Sequence, residues 1–301
     1  MIPLFDLHCD TLTKLYSHSL KSNAQLHISF KDVHQFSPYI QVCAIWSNYI
    51  HADKEAYSYY RSVVDFSKNN EFVFSTDLKD TKYPAYILAI EDARLLDNNI
   101  DLLDNIYCDG VRALTLMWKG ESCIGGGWDT TLPLTAFGRL VVEKCATLGI
   151  AVDLSHSSYE TQNEVLRLAN TLGFSPIYSH SNSYTICQHK RNVSDAFAKE
   201  IAALNGLIGI SLCTSHLSSK KFPNIDTIIT HIDHFLKIGC ENILSLGCDF
   251  DGIDLLPMGF DGISSLEYLF YIIKNKFGPI IAEKIFYYNA FNYFKRLLEG
   301  R

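Results

Sequence analysis

The chain has 301 residues, 48% of them hydrophobic and 20% charged. That usage is ordinary for globular proteins, so it excludes extensive disorder and predicts a sizeable core. A formal net charge of -7, with no basic run beyond the short HKRN at 189–192, excludes a nucleic-acid surface, which needs clustered Lys and Arg to neutralise phosphates.

Nine cysteines, at 9, 43, 108, 123, 145, 187, 213, 240 and 248, form no C-x-x-C pair. The odd count and the spacing predict free thiols, neither a disulfide framework nor a thiolate zinc site. The N-terminus has no basic stretch leading into an apolar one, no apolar run reaches the roughly 18 residues that span a bilayer, and the C-terminal FKRLLEGR is polar. The expectation is a cytoplasmic protein that makes no membrane contact.

In chain order, eight short runs rich in β-branched and aromatic residues predict strands buried on both faces. IPLFDLH (2–8) leads into Cys9 and Asp10, YIQVCAIW (39–46) follows, and AYILAIE (85–91) closes on Glu91. VRALTLM (111–117), IAVDLSH (150–156) and PIYSHS (176–181) come next, the last two carrying His156 and His180. LIGISLC (207–213) and ILSLGCDF (243–250) complete the set, with Asp249 and Asp251 at its end.

Helical spacing fills the intervals. In 135–149, Leu140, Val141, Cys145 and Leu148 recur at three- and four-residue steps and predict a face against the sheet. Ser157 or Ser158 is a helix cap, and helices are expected to stop at Gly173, Gly206 and Gly239. Residues 264–298 read as terminal helices on the same body. Repeated strand, helix, Gly and strand predicts parallel βα units, and eight of them predict an α/β fold closed into a (β/α)8 TIM barrel. No linker or repeat interrupts residues 1–301, so one domain is expected.

In such a barrel the chemistry sits at the C-terminal ends of the strands. Those ends carry His8 and Asp10, Glu91, His156, His180, Asp249 and Asp251. Residues two apart on an extended strand face the same side, so His8 and Asp10 can reach one cation and Cys9 points away. His156 and His180 can hold a second ion, with Glu91 between the two. Imidazole and carboxylate donors suit Zn2+ first, then Mn2+, Co2+ or Fe2+. His18, His27, His34, His51, His216, His231 and His234 are expected to be ordinary core or surface residues, whereas His189 neighbours a functional loop. DFDGID departs from a calcium loop in its Gly and Glu positions, and the glycines at 125–127 lack the companions of a phosphate cradle, leaving a flexible loop.

DLHCDT, AIED, GVRALTL, VDLSHSS, YSHSNS with KRNV, and GCDFDG follow one another over nearly the whole chain. In that order they resemble the membrane dipeptidase (renal dipeptidase) family of binuclear zinc peptidases, peptidase family M19, among the amidohydrolase barrels. The resemblance implies two zinc ions per chain, one on His8 and Asp10, the other on His156 and His180, with Glu91 bridging. It implies a bridging hydroxide as nucleophile, Asp249 as the proton-exchanging acid, and Arg191 as the grip on the free C-terminal carboxylate of a dipeptide substrate. It also implies tolerance of D-residues and a homodimer.

Two departures stand out. Trp118 occupies the place of a family histidine that contacts the substrate carbonyl, which turns it into a candidate pocket wall with Lys119 as a candidate replacement. EDA replaces the family's Gly-rich continuation after Glu91. These departures keep two other readings open: an amidohydrolase acting on lactams or N-acyl amino acids, and a non-catalytic metal-binding barrel.

Overall fold

The computed structural model describes residues 1–19, 26–49, 53–70, 72–78, 84–220 and 222–299; His51 and the side chain of His18 lie outside this description. Strands β1 (Ile2–Cys9), β2 (Phe36–Trp46), β3 (Ala85–Glu91), β4 (Val111–Thr115), β5 (Ala151–Asp153), β6 (Ile177–Tyr178), β7 (Leu207–Ile210) and β8 (Leu244–Leu246) each pair in parallel with the next. β8 returns to β1, closing the barrel.

All eight expected strands are present, but the last five end before their apolar runs do. Past the ends of β5 and β8 the backbone leaves the extended region, with φ of 70° at His156 and 62° at Asp249, which no strand accommodates. His156, His180 and Asp249 therefore stand on loops just past β5, β6 and β8 rather than on the strands.

Outside the barrel lie α1 (Thr11–Ser19), α2 (Asp53–Asn69), α3 (Leu102–Cys108), α4 (Ala136–Leu148), α5 (Tyr159–Leu172), α6 (Asp195–Ala203), α7 (Ile225–Lys237), α8 (Ser265–Phe277) and α9 (Asn289–Glu299). α4 buries Val141, Val142 and Cys145. Leu140, expected on that face, is 52% exposed, because the buried stripe is centred one residue further on. Ser158 is the cap of α5, its hydroxyl accepting from Thr161 N at 3.0 Å, and the helix ends at Gly173 with φ 74°. α6 ends differently from expectation: Asn205, not Gly206, takes the left-handed conformation, at φ 53°, a role Asn tolerates. The turn at 125–127 is buried and bridged to Glu121 and Ser157, so it is a packed element and not a loose loop.

The lower half of the barrel interior is apolar. Phe5, Leu7, Ile40, Val42, Ile87 and Ile177 fill it, and α9 plugs it from below, with Phe294 stacked 5.2 Å from Phe5. Higher on the same inward rows the residues turn polar: Glu91, Thr115 and Asp153 continue from Ala89, Ala113 and Ala151.

β1 needs one adjustment to join them. Strict alternation from Phe5 and Leu7 would turn His8 outward. A register shift sets three steps of β1, from Asp6 to Cys9, against two steps of β2, from Gln41 to Cys43. The extra residue re-aims the strand, as bulges near active sites do. His8 comes inside, while Cys9 packs outside against Cys43, with the sulfurs 3.9 Å apart. All nine cysteines are free, and no helix among the described residues is long and apolar enough to cross a membrane.

Candidate metal centre

The five expected ligands converge. His8 Nε2 lies 3.4 Å from Asp10 Oδ2 and 3.5 Å from Glu91 Oε2. The other Glu91 oxygen, Oε1, lies 2.9 Å from His156 Nε2 and 3.8 Å from His180 Nε2. One carboxylate thus presents an oxygen to each of two donor groups, and Asp249 forms a third group with His8 and His180. All six residues are buried.

Neighbours fix which nitrogen each imidazole offers. His156 Nδ1 lies 2.9 Å from the Trp118 carbonyl, which can only accept. Ser179 gives its hydroxyl proton to Asp153 at 2.6 Å and so accepts from His180 Nδ1 at 2.7 Å; Thr115 gives a second hydroxyl bond to Asp153. Both Nε2 atoms therefore carry lone pairs, and they face each other at 2.9 Å. His8 Nε2 and Asp10 Oδ1 are buried without a hydrogen-bond partner among the described residues. Such an arrangement is costly for protein atoms alone, and a cation among these donors removes the cost. The mixed nitrogen and oxygen set fits zinc-type divalent ions, and outer partners such as Asp153 are the usual means of orienting ligands.

The electrostatics agree. Burial raises the Asp10 carboxyl to about 6, with Glu91 adding to it. Burial likewise raises Asp249 to about 8, against the pull of His8. For Glu91, burial is overcome by His8 and His156, which hold it well below the carboxylate range. For His8, burial is overcome by Glu91 and Asp10, which push it well above the usual imidazole value. His156 is lowered to about 4 and His180 further, by burial first and by nearby cationic groups second. His8 and Arg191 are thus the buried cationic groups that face the Asp10 and Glu91 carboxylates.

Above these donor groups opens a cavity of about 760 Å3. Arg191 enters it, 6% exposed, with Nη2 2.8 Å from His180 Nε2 and Nη1 unmatched among the described residues. Trp118 lines the same cavity and stacks on His156 at 6.0 Å, so it is part of the wall. Asp92, in the altered stretch after Glu91, sits at φ 81°, where glycine is favoured. Its side chain offsets the strain by accepting from Arg94 N at 3.1 Å and Tyr49 Oη at 2.7 Å. Asp251 is a loop organiser: it accepts from Thr11, Lys14 and His27 N and does not join the ligands.

The histidines expected to be ordinary divide. His231 is a fully bonded core residue, and His234 pairs with Asp195. His27 and His216 instead line the cavity, as does His189, and His216 Nδ1 is buried without a partner among the described residues. Sequence reasoning also passed over Trp46 and Trp128 in the wall. Trp46 could have been found, because it closes β2 as Glu91 closes β3; Trp128 lies in a turn whose path the sequence leaves open.

The sequence profile of the membrane dipeptidase family, peptidase family M19, matches residues 1–295. The chain belongs to this family. Curated relatives include Dipeptidase 3 of Mus musculus and of Macaca fascicularis, each 27% identical over 208 residues, or 66% of this chain. The match spans 42% of the length of those proteins. Among solved structures, a metallo peptidase from Rhodobacter sphaeroides, liganded with a phosphinate mimic of the dipeptide L-Ala-D-Ala, superimposes with a TM-score of 0.89 at 20% identity, over 98% of this chain and 99% of that one. A second, dipeptidase AC of family M19, gives 0.89 at 21% identity, over 98% of each chain. An amidohydrolase from Pseudomonas aeruginosa gives 0.79 at 18%, over 90% of this chain and 92% of that one. At these identities the family barrel is the shared property.

Proposed function

We propose that this chain is a dipeptidase that hydrolyses the amide of dipeptides bearing a free C-terminal carboxylate, using two divalent cations, zinc by donor type. The observation that carries the reading is the split carboxylate of Glu91, one oxygen toward His8 and Asp10 and the other toward His156 and His180. A pair of zinc ions held by these residues would supply Lewis acidity for the scissile carbonyl and lower the pKa of a water nucleophile.

The chain's own residues do the rest. Arg191 offers a planar guanidinium, one nitrogen of which has no partner among the described residues, to a terminal carboxylate as a bidentate grip. Asp249, buried in one group with His8 and His180, is the carboxylate that would take a proton from the attacking water and pass it to the leaving amine. Trp118 excludes water along one side of the cavity and, through its carbonyl, keeps His156 in the correct tautomer.

The test is release of amino acids from a panel of L,L and L,D dipeptides by purified, zinc-loaded protein; no turnover of any member overturns the reading. Glu91→Gln is expected to lose most metal content and at least about a hundredfold in rate, on the scale of lost charge stabilisation. Near-normal values would remove the bridging role. The tryptophan at 118 favours one second reading, hydrolysis of N-acyl amino acids or lactams, and matched N-acyl substrates in the same panel separate the two.

A further inference from the structure

We infer that the substrate's N-terminal side chain is selected by an aromatic wall made of Trp46 and Trp118, so that dipeptides beginning with a large aromatic or apolar residue are preferred. The inference rests on the dipeptidase reading and adds the substrate class.

The chain contains three tryptophans, and Trp46, Trp118 and Trp128 all line the cavity over the ligands. Their positions around the ring differ. Arg191 lies on the loop after β6, and Trp46 closes β2, four strands away in a closed ring of eight and hence diametrically opposite. Trp118 follows β4. Its ring is 5.0 Å from that of Trp46 and 5.3 Å from that of Tyr49, which backs it, and it also stacks on His156. Trp128 instead lies 5.8 Å from His189, on the Arg191 side.

A dipeptide with its carboxylate on Arg191 and its amide carbonyl over the ligand cluster therefore extends its N-terminal residue toward Trp46 and Trp118. What meets it there is aromatic area held rigid by neighbouring rings. A methyl group leaves that area uncovered, and a void forfeits contact energy. A benzyl or isobutyl group covers it, with offset stacking open to the aromatic ring. Trp46 Nε1 is buried without a partner among the described residues, so no hydrogen bond from this indole competes with the apolar character of the wall. Lys119 Nζ stands 4.8 Å from the Trp118 ring and 5.3 Å from that of Tyr49, which places a positive charge at the edge of the wall and disfavours Lys or Arg in this position by like-charge repulsion.

The experiment uses the zinc-loaded full chain and reads kcat/KM for Ala-Ala, Leu-Ala, Phe-Ala, Lys-Ala and the reversed Ala-Phe. Phe-Ala is expected to exceed Ala-Ala by at least about tenfold, the scale of filling an apolar pocket, with Lys-Ala below Ala-Ala and Ala-Phe gaining less than Phe-Ala. Trp118→Ala and Trp46→Ala are each expected to bring the Phe-Ala to Ala-Ala ratio to within about threefold of unity, whatever happens to absolute rate. A ratio near one in the parent protein, or a ratio untouched in both variants, overturns the inference while leaving dipeptide hydrolysis intact.

If no dipeptide is cleaved, the dipeptidase reading fails, and binding decides the wall separately. Phosphinate dipeptide analogues with benzyl or methyl at the N-terminal side are titrated against tryptophan fluorescence, to which every tryptophan in the cavity contributes. Benzyl binding at least about tenfold tighter than methyl supports the wall; equal or weaker binding overturns it.

Discussion

Asp249 carries a pH signature of its own. Its carboxyl is raised to about 8 from an unfolded value of 3.8, chiefly by burial. A group that binds its proton more tightly when folded stabilises the fold at low pH and loses that contribution as pH climbs from the unfolded toward the folded pKa. His8, also raised, has the same sign. His156 and His180, both lowered, act oppositely, but only below about 6.5, down through their lowered folded values. Between pH 7 and 8 the metal-free protein should therefore lose stability, by up to about 1.4 kcal/mol per pH unit for each group. A series of melting temperatures in chelator checks this; Asp249→Asn should flatten the slope, and a parent slope of the opposite sign would refute the assignment. The residue types of this site were legible because Asp, Glu and His at the ends of apolar runs have few structural reasons to be there. The outer partners were not: Ser179 and Asp153 become meaningful only once Nδ1 of His180 is seen to need an acceptor.

Among the elements, β6 shows how little secondary structure a site requires when neighbours hold it. Its strand is two residues long, yet it leads directly into the turn that holds His180. The chains beside it come close because they are glycine where they meet it: a Cβ at Gly209 or Gly247 would fall 2.0 or 1.7 Å from the Ser179 carbonyl. Gly247→Ala should push Ser179 and His180 away from Glu91, destabilising by about 1–3 kcal/mol as overpacking does and reducing bound metal. Thermal melts together with metal analysis test it, and full metal content at parental stability would contradict the close-approach role. Element existence was readable from apolar runs and caps, and so was the closure of eight βα units. The bulge in β1 was not. Alternation correctly paired His8 with Asp10 on one side, but only the extra residue against Gln41 and Cys43 turns that side inward.

At the scale of the molecule the barrel divides into an apolar base that holds it together and a polar mouth that carries the chemistry. Phe294, from α9, is fully buried in the base against Phe5, at the end remote from His8 and Glu91. Phe294→Ala should cost about 3–5 kcal/mol of stability while leaving kcat/KM at 25 °C nearly unchanged, since the end of such a barrel opposite the strand C-termini serves stability rather than catalysis. Denaturant titration and a dipeptide assay read the two effects separately; a large loss in kcat/KM from folded protein would count against that division.

The sequence by itself determined the fold class, the eight strands and the identity of six polar residues that meet, because periodicity, caps and residue type are local properties written along the chain. Only the tertiary structure decided which oxygen of Glu91 faces which histidine, which imidazole nitrogens are left free, and that Trp46 stands across the ring from Arg191. Those are relations between segments tens to hundreds of residues apart, set by register, bulge and barrel closure, and no local pattern encodes them.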